Sequence, residues 1–204
     1  MIRLLMEYWD EGGTLQWFAQ TCPELGTPQD AARKAAAAGA AACYIHGGVM
    51  DNWVINGMAE QAMDVIDMIR DSGMVAGAAG HLPATFTWAK DNIDVDFFMC
   101  SYYNPIARTE TGEHRSGTAE TYLESDRTAM TEMIQTIRQP VIHYKILAAG
   151  RHDPEQAIPY TVSRMRDRDA LCVGIYANDA EDPLGQDVET FLDAHARLAN
   201  SSAD

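Results

Sequence analysis

Two hydrophobic periods take turns along this chain. Short apolar runs, several alternating with period two, are each followed by a longer stretch with apolar residues at helical spacing. Met1–Asp10 reads as a helix. Strands are then expected at Leu15–Thr21, Ala42–His46, Met74–Gly80, Val95–Tyr103, Val141–Leu147 and Leu171–Ala177. Between them, helices are expected from Pro28 to the stop at Gly39, over Met58–Asp71, more weakly over Ala84–Lys90, and over Thr121–Arg138. Two more follow Asp153-Pro154 and Asp182-Pro183. Their apolar stripes are Ile158, Val162 and Met165, then Val188, Phe191, Leu192 and His195. Thr27-Pro28 and the two Asp-Pro pairs are N-caps followed by proline at the first helical position. GGVMDNWVIN, after the second strand, reads as a loop, and 104–120 as a long polar loop on the way to the next helix.

Strands that alternate with helices pair in parallel through right-handed crossovers. No Gly-x-Gly-x-x-Gly follows the first strand, which argues against a dinucleotide-binding sheet. A flavodoxin-like open sheet meets helices on both faces and has apolar central strands. Here one parity carries polar, small or aromatic residues: Gln16, Phe18 and Gln20, then Tyr44 and His46, with His81 ending the third strand. It continues with Cys100, Tyr102 and Asn104, then His143 and Lys145, then Cys172, Gly174, Tyr176 and Asn178. That set is expected to face the inside of a curled sheet. The fold class is therefore α/β, a partial (β/α) barrel of six parallel strands forming one domain over residues 1–204.

Gln20, HGG at 46–48, GH at 80–81, YYNP at 102–105, HYKILAAGR at 143–151 and YAND at 176–179 together resemble a TIM-barrel enzyme. The likeness spans nearly the whole chain. It implies an active site at the C-terminal ends of the strands, where that fold places its chemistry. Six strands stand where the barrel has eight, so the chain reads as a barrel lacking its first strand–helix–strand. An open edge of that kind implies a homo-oligomer.

Lys145 is the expected chemical centre. An ammonium on an inner strand face is desolvated, which lowers its pKa and suits it to attack a carbonyl or to hold an oxyanion. Lys145-Ile-Leu-Ala-Ala-Gly150 bears a loose likeness to the lysine segment of Schiff-base aldolases. The function implied is a lyase or aldolase acting on a small carbonyl or sugar-like substrate, with or without a phosphate. His143, His46 and His81 would move protons, and Tyr103 or Tyr176 would bond a developing oxyanion. Gln20, Asn104, Gly150, Arg151 and Asn178 would bind substrate, Gly150 and Arg151 through an anionic group. Arg108, His114 and Arg115 place cationic groups in the polar loop. No cofactor is required by this reading. The alternatives are a divalent metal held by His46 and His81, with Asp51 or another acid, for hydrolysis or isomerisation, and a non-catalytic barrel serving in binding or assembly.

Composition narrows the partners. A net charge of −15 over 204 residues gives no basic footprint for nucleic acid and repels an anionic membrane. With 47% hydrophobic residues the chain is long enough for a real core. Cys22, Cys43, Cys100 and Cys172 form no metal-like cluster and no disulfide framework. A reducing, cytoplasmic setting is expected, because the N-terminus lacks the apolar core of a secretory signal.

Overall fold

The computed structural model describes residues 2–23, 26–106, 120–176 and 181–201. Among these, six parallel strands pair strictly in sequence order and curl into a half-barrel alternating with helices. The strands are β1 (Phe18–Gln20), β2 (Ala42–Ile45), β3 (Val75–Gly80), β4 (Phe97–Ser101), β5 (Val141–Tyr144) and β6 (Ala170–Leu171). The helices are α1 (Ile2–Asp10), α2 (Pro28–Ala37), α3 (Gly47–Ile55), α4 (Gln61–Asp71), α5 (Pro83–Asn92), α6 (Glu124–Ile134), α7 (Pro154–Val162) and α8 (Pro183–Ser201).

The capping signals act as expected. The Thr27 side chain accepts from the Asp30 N–H, and Asp153 accepts from the Glu155 N–H, each with proline opening the helix. Gly39, at φ +83°, takes the left-handed conformation that ends the α2 segment. GGVMDNWVIN is not a loop. It forms α3, because the His46 ring accepts from the Gly48 N–H while Met50, Asp51 and Trp53 are buried. The two glycines and the lack of a single apolar face hide this helix from periodicity. The next helix accordingly starts at Gln61, leaving Met58 outside it and exposed.

Every strand is shorter than its apolar run. β5 stops at Tyr144 because Lys145 adopts φ +60°, which breaks the extended backbone. β6 is two residues long; the Cys172 N–H still donates to the His143 carbonyl at 2.9 Å, and 173–176 continue outside the strand. The expected Thr121–Arg138 helix begins only at Glu124, with Leu123 exposed at its N-cap.

Two apolar layers flank the sheet. Ala19, Cys43, Ile45, Ala76, Ala78, Phe98, Cys100, Tyr102 and Val141 pack against helix residues such as Ile66, Ile69, Phe86, Ile134 and Ile158. Ala42, Ala79, Phe97 and Met99, with Tyr44, Ile142 and Tyr144, form a second cluster made of strand residues alone, on the inner side of the curl. The expected parity is thus right for Gln20 and Tyr44 and reversed in β4 and β5. Cys100 and Tyr102 belong to the helix layer, as does His143, which pairs with Tyr102 there. Ile142 and Tyr144 face inward.

Exposed apolar side chains gather at the two ends of the sheet. Beside β1 are Ile2, Leu4 (60% exposed), Met6, Leu15 and Phe18, and α1 buries none of its residues. Beyond β6 are Ile175, Tyr176, Leu184, Val188 and Leu192 (59% exposed). Of the expected α8 stripe, Phe191 packs against the core, joined by Ala194, while Val188 and Leu192 are exposed.

Candidate functional site

Parallel strands bring residues that follow them to one end of the sheet. His46 follows β2, His81 follows β3, Tyr103 follows β4 and Lys145 follows β5. At this end lies a cleft of about 1020 Å³. Lys145, Tyr144, Gly150 and His152 come from the β5 side, Tyr176, Gln186 and Asp187 from the β6 side, and Glu120 and Tyr122 from the segment before α6. Burial pushes the Asp187 carboxyl up from the usual carboxylate range.

The loop that presents Lys145 is strained. Lys145, Ala148 and Ala149 all have positive φ, at 60°, 48° and 54°, and Gly150 follows at 79°. An L-residue in this region costs on the order of 1–2 kcal/mol, and such conformations gather at functional sites. Glycine at Ala149, which is exposed, has no Cβ to clash.

Tyr144 links the cleft to a buried carboxylate. Asp51, on the first turns of α3, is fully buried. Its two oxygens accept from the His81 backbone N–H at 3.1 and 3.2 Å, and Oδ1 accepts from the Thr85 hydroxyl at 2.7 Å. Oδ2 lies 2.8 Å from His81 Nδ1. The other ring nitrogen, Nε2, lies 3.3 Å from the Tyr144 hydroxyl, which has the Gly80 carbonyl 3.5 Å away as a second acceptor. A Cβ at Gly47 would stand 2.8 Å from His81 Cε1 and 3.1 Å from the Tyr144 hydroxyl, so the ring and the phenol use space that only glycine leaves. Burial, with the Asp51 charge second, pushes the Tyr144 phenol well above its ordinary value.

His143 is not part of this group. It is fully buried on the helix side, where Tyr102 donates to Nδ1 at 3.0 Å and Nε2 donates to Asp169 at 3.3 Å. Asp169 also accepts from the Arg166 guanidinium at 2.7 and 2.8 Å and from the Val141 N–H at 2.9 Å. Arg166 binds the Ile137 and Gln139 carbonyls as well. Burial alone would raise the Asp169 carboxyl. The hydrogen bonds from Arg166, His143 and two backbone N–H groups outweigh it and hold the group well below the carboxylate range. This is a structural clamp between β5 and the start of β6.

The other expected residues are dispersed. The Tyr103 hydroxyl bonds His152 Nε2 at 2.8 Å, and the two rings stack. Arg151 lies 4.6 Å over the Tyr122 ring and donates to the Ala148 carbonyl, so it braces the cleft wall. The Asn104 N–H donates to Asp126. Gln20 is exposed at the end of β1, and Tyr176 is an exposed part of the cleft. Asn178, Arg108, His114 and Arg115 lie outside the described residues. Asp51, expected only as an acid beside His46 and His81 at a metal, instead binds His81 and Thr85. His152, absent from the expected site, directly follows the HYKILAAGR segment.

Among the described residues, no group of three or more His, Cys, Asp or Glu could hold a metal ion. His46 is engaged instead in capping α3. None of the four cysteines forms a disulfide, and burial raises the Cys43 thiol to about 11 and the Cys100 thiol well above its ordinary value, so neither is a ready nucleophile. No helix among the described residues is long and apolar enough to cross a membrane. No protein-family model matches the chain, and a search of curated proteins finds no match.

Proposed function

We propose that this chain is an enzyme acting on a small carbonyl or sugar-like molecule, of lyase or aldolase type, in the cleft at the C-terminal end of the half-barrel. The observation that supports it is the lining of the cleft, to which Lys145 contributes together with Tyr144, Tyr122, Tyr176 and His152. An ammonium at that place stabilises the negative charge that grows on a carbonyl oxygen when a neighbouring bond breaks, or attacks the carbonyl itself. The left-handed backbone at Lys145 aims its side chain independently of the strand alternation that places Tyr144.

The test offers the protein a panel of simple aldehydes and hydroxyketones in D2O. Wild type is expected to exchange hydrogen next to the carbonyl faster than buffer does. Lys145→Ala is expected to abolish this with little change in stability. Borohydride then separates the two roles of Lys145: a reduced adduct on it means a Schiff base, and loss of exchange without an adduct means electrostatic stabilisation. Wild type with neither exchange nor adduct sinks the proposal.

We also propose that a second copy of the chain covers the apolar ends of the sheet. At about 200 Å² for a fully exposed large apolar side chain, each end offers on the order of 500 Å², the upper range for a monomer's largest patch. The two together exceed what one partner buries in a stable interface, roughly 800 Å². Sedimentation at micromolar concentration is expected to show a dimer or larger species, weakened by Leu4→Glu or Leu192→Glu. A stable monomer that binds no apolar dye contradicts this.

A further inference from the structure

We propose that Asp51, His81 and Tyr144 form a proton relay that serves the cleft, with Tyr144 as the catalytic group and Asp51 as a positioning residue. This rests on the proposed carbonyl chemistry and adds to it the proton-transfer machinery and the substrate requirement, a carbonyl flanked by a C–H bond. Four observations meet here. The carboxylate is fully buried and tied to the end of β3 by the His81 backbone N–H and to α5 by Thr85. It lies 2.8 Å from Nδ1, so the ring carries its proton there and leaves Nε2 as an acceptor. Nε2 faces the Tyr144 hydroxyl at 3.3 Å. Tyr144 itself lines the cleft beside Lys145.

The arrangement has a direction. A buried carboxylate behind a histidine stabilises the imidazolium that forms when Nε2 takes a proton. In the forward step the C–H bond next to the carbonyl breaks, and its proton goes to the Tyr144 oxygen as the phenol's own proton passes to His81 Nε2. The electron pair left on carbon moves into the carbonyl, giving an enolate whose oxygen faces the Lys145 ammonium. One C–H bond is lost and one N–H bond is formed. The positive charge on His81 is held by Asp51, and reversal returns the proton. Because the Tyr144 phenol is hard to ionise, the two transfers occur in concert and no free phenolate accumulates. Gly47 serves the same end, since any side chain there would separate the ring from the phenol.

The experiment has two arms. Nitrogen NMR of the His81 ring needs no substrate. The expected result is the Nδ1–H form with a strongly low-field ring proton, an Nε2 signal that moves in Tyr144→Phe, and loss of the low-field proton in Asp51→Asn. The second arm follows deuterium incorporation into dihydroxyacetone in D2O. Tyr144→Phe, which keeps the ring and the fold, and His81→Gln are each expected to slow exchange about 10²-fold, while Lys145 is untouched. An Nε2–H ring, or an Nε2 signal indifferent to Tyr144→Phe, overturns the relay. So does exchange that depends on Lys145 but not on Tyr144, a result that leaves the carbonyl reading standing. Exchange no faster than buffer in wild type removes both, and the hydrogen bonds are then structural.

Discussion

Asp169→Ala is expected to lower stability by about 3–5 kcal/mol, the usual cost of stripping one partner from a buried charge cluster. The side chain is almost wholly buried, and it is the common acceptor for Arg166, His143 and the Val141 N–H. Its loss leaves a guanidinium, a ring N–H and a backbone N–H facing an empty site. Urea unfolding checks this: the midpoint should fall with little change in slope. The same cluster sets an acid dependence. Its native pKa lies below the unfolded value of about 3.9, so the stabilisation is complete above that value and is lost as pH falls through it toward the native one. Asp169→Asn should flatten the stability curve below about pH 4. An unchanged acid limb in that variant would mean that other carboxylates govern acid unfolding.

Phe97→Ala should cost nearly as much, about 3–5 kcal/mol. Phe97 is the aromatic ring among the buried residues of the inner layer. It lies over Gly77, with the Phe18 and Tyr44 rings at 5.5 and 6.2 Å. A Cβ at Gly77 would come within 2.4 Å of the Phe97 ring, so glycine and phenylalanine form a fitted pair across β3 and β4. Gly77→Ala alone is expected to cost about 1–3 kcal/mol by overpacking. In Gly77→Ala with Phe97→Leu the two losses should not add, because each change relieves the other. Additive losses in the double variant would mean that the ring and the glycine act separately.

The order of strands and helices was legible because it is written in local terms. Thr27-Pro28 and Asp153-Pro154 cap helices wherever they occur, and the apolar runs of β2 to β5 lie between such signals. The inward parity of β4 and β5 was not. β4 is apolar on both faces, so period two gives two classes without saying which one meets the helices. His143 looks like an inner polar residue until its partner is known, and that partner, Asp169, lies 26 residues away. Asp51 was legible only as an acid that could join His46 and His81 at a metal, for a similar reason. Its segment has no helical stripe, and only the folded chain brings it to His81, 30 residues on. Lys145 was placed near the cleft by an argument about strand parity, yet it reaches the cleft through a left-handed turn that no pattern of residue types announces.

Adjacent residues on β5 serve opposite sides of the sheet: His143 closes the clamp beneath the helices and Tyr144 faces the cleft. A slip of one residue would exchange them, putting the imidazole in the cleft and the phenol against Asp169. The clamp therefore acts as a registration pin for the site it never touches. Loss or gain of a single residue between Pro140 and Tyr144 spoils both at once. Selection on the buried side of this strand is, by that route, selection on its open side as well.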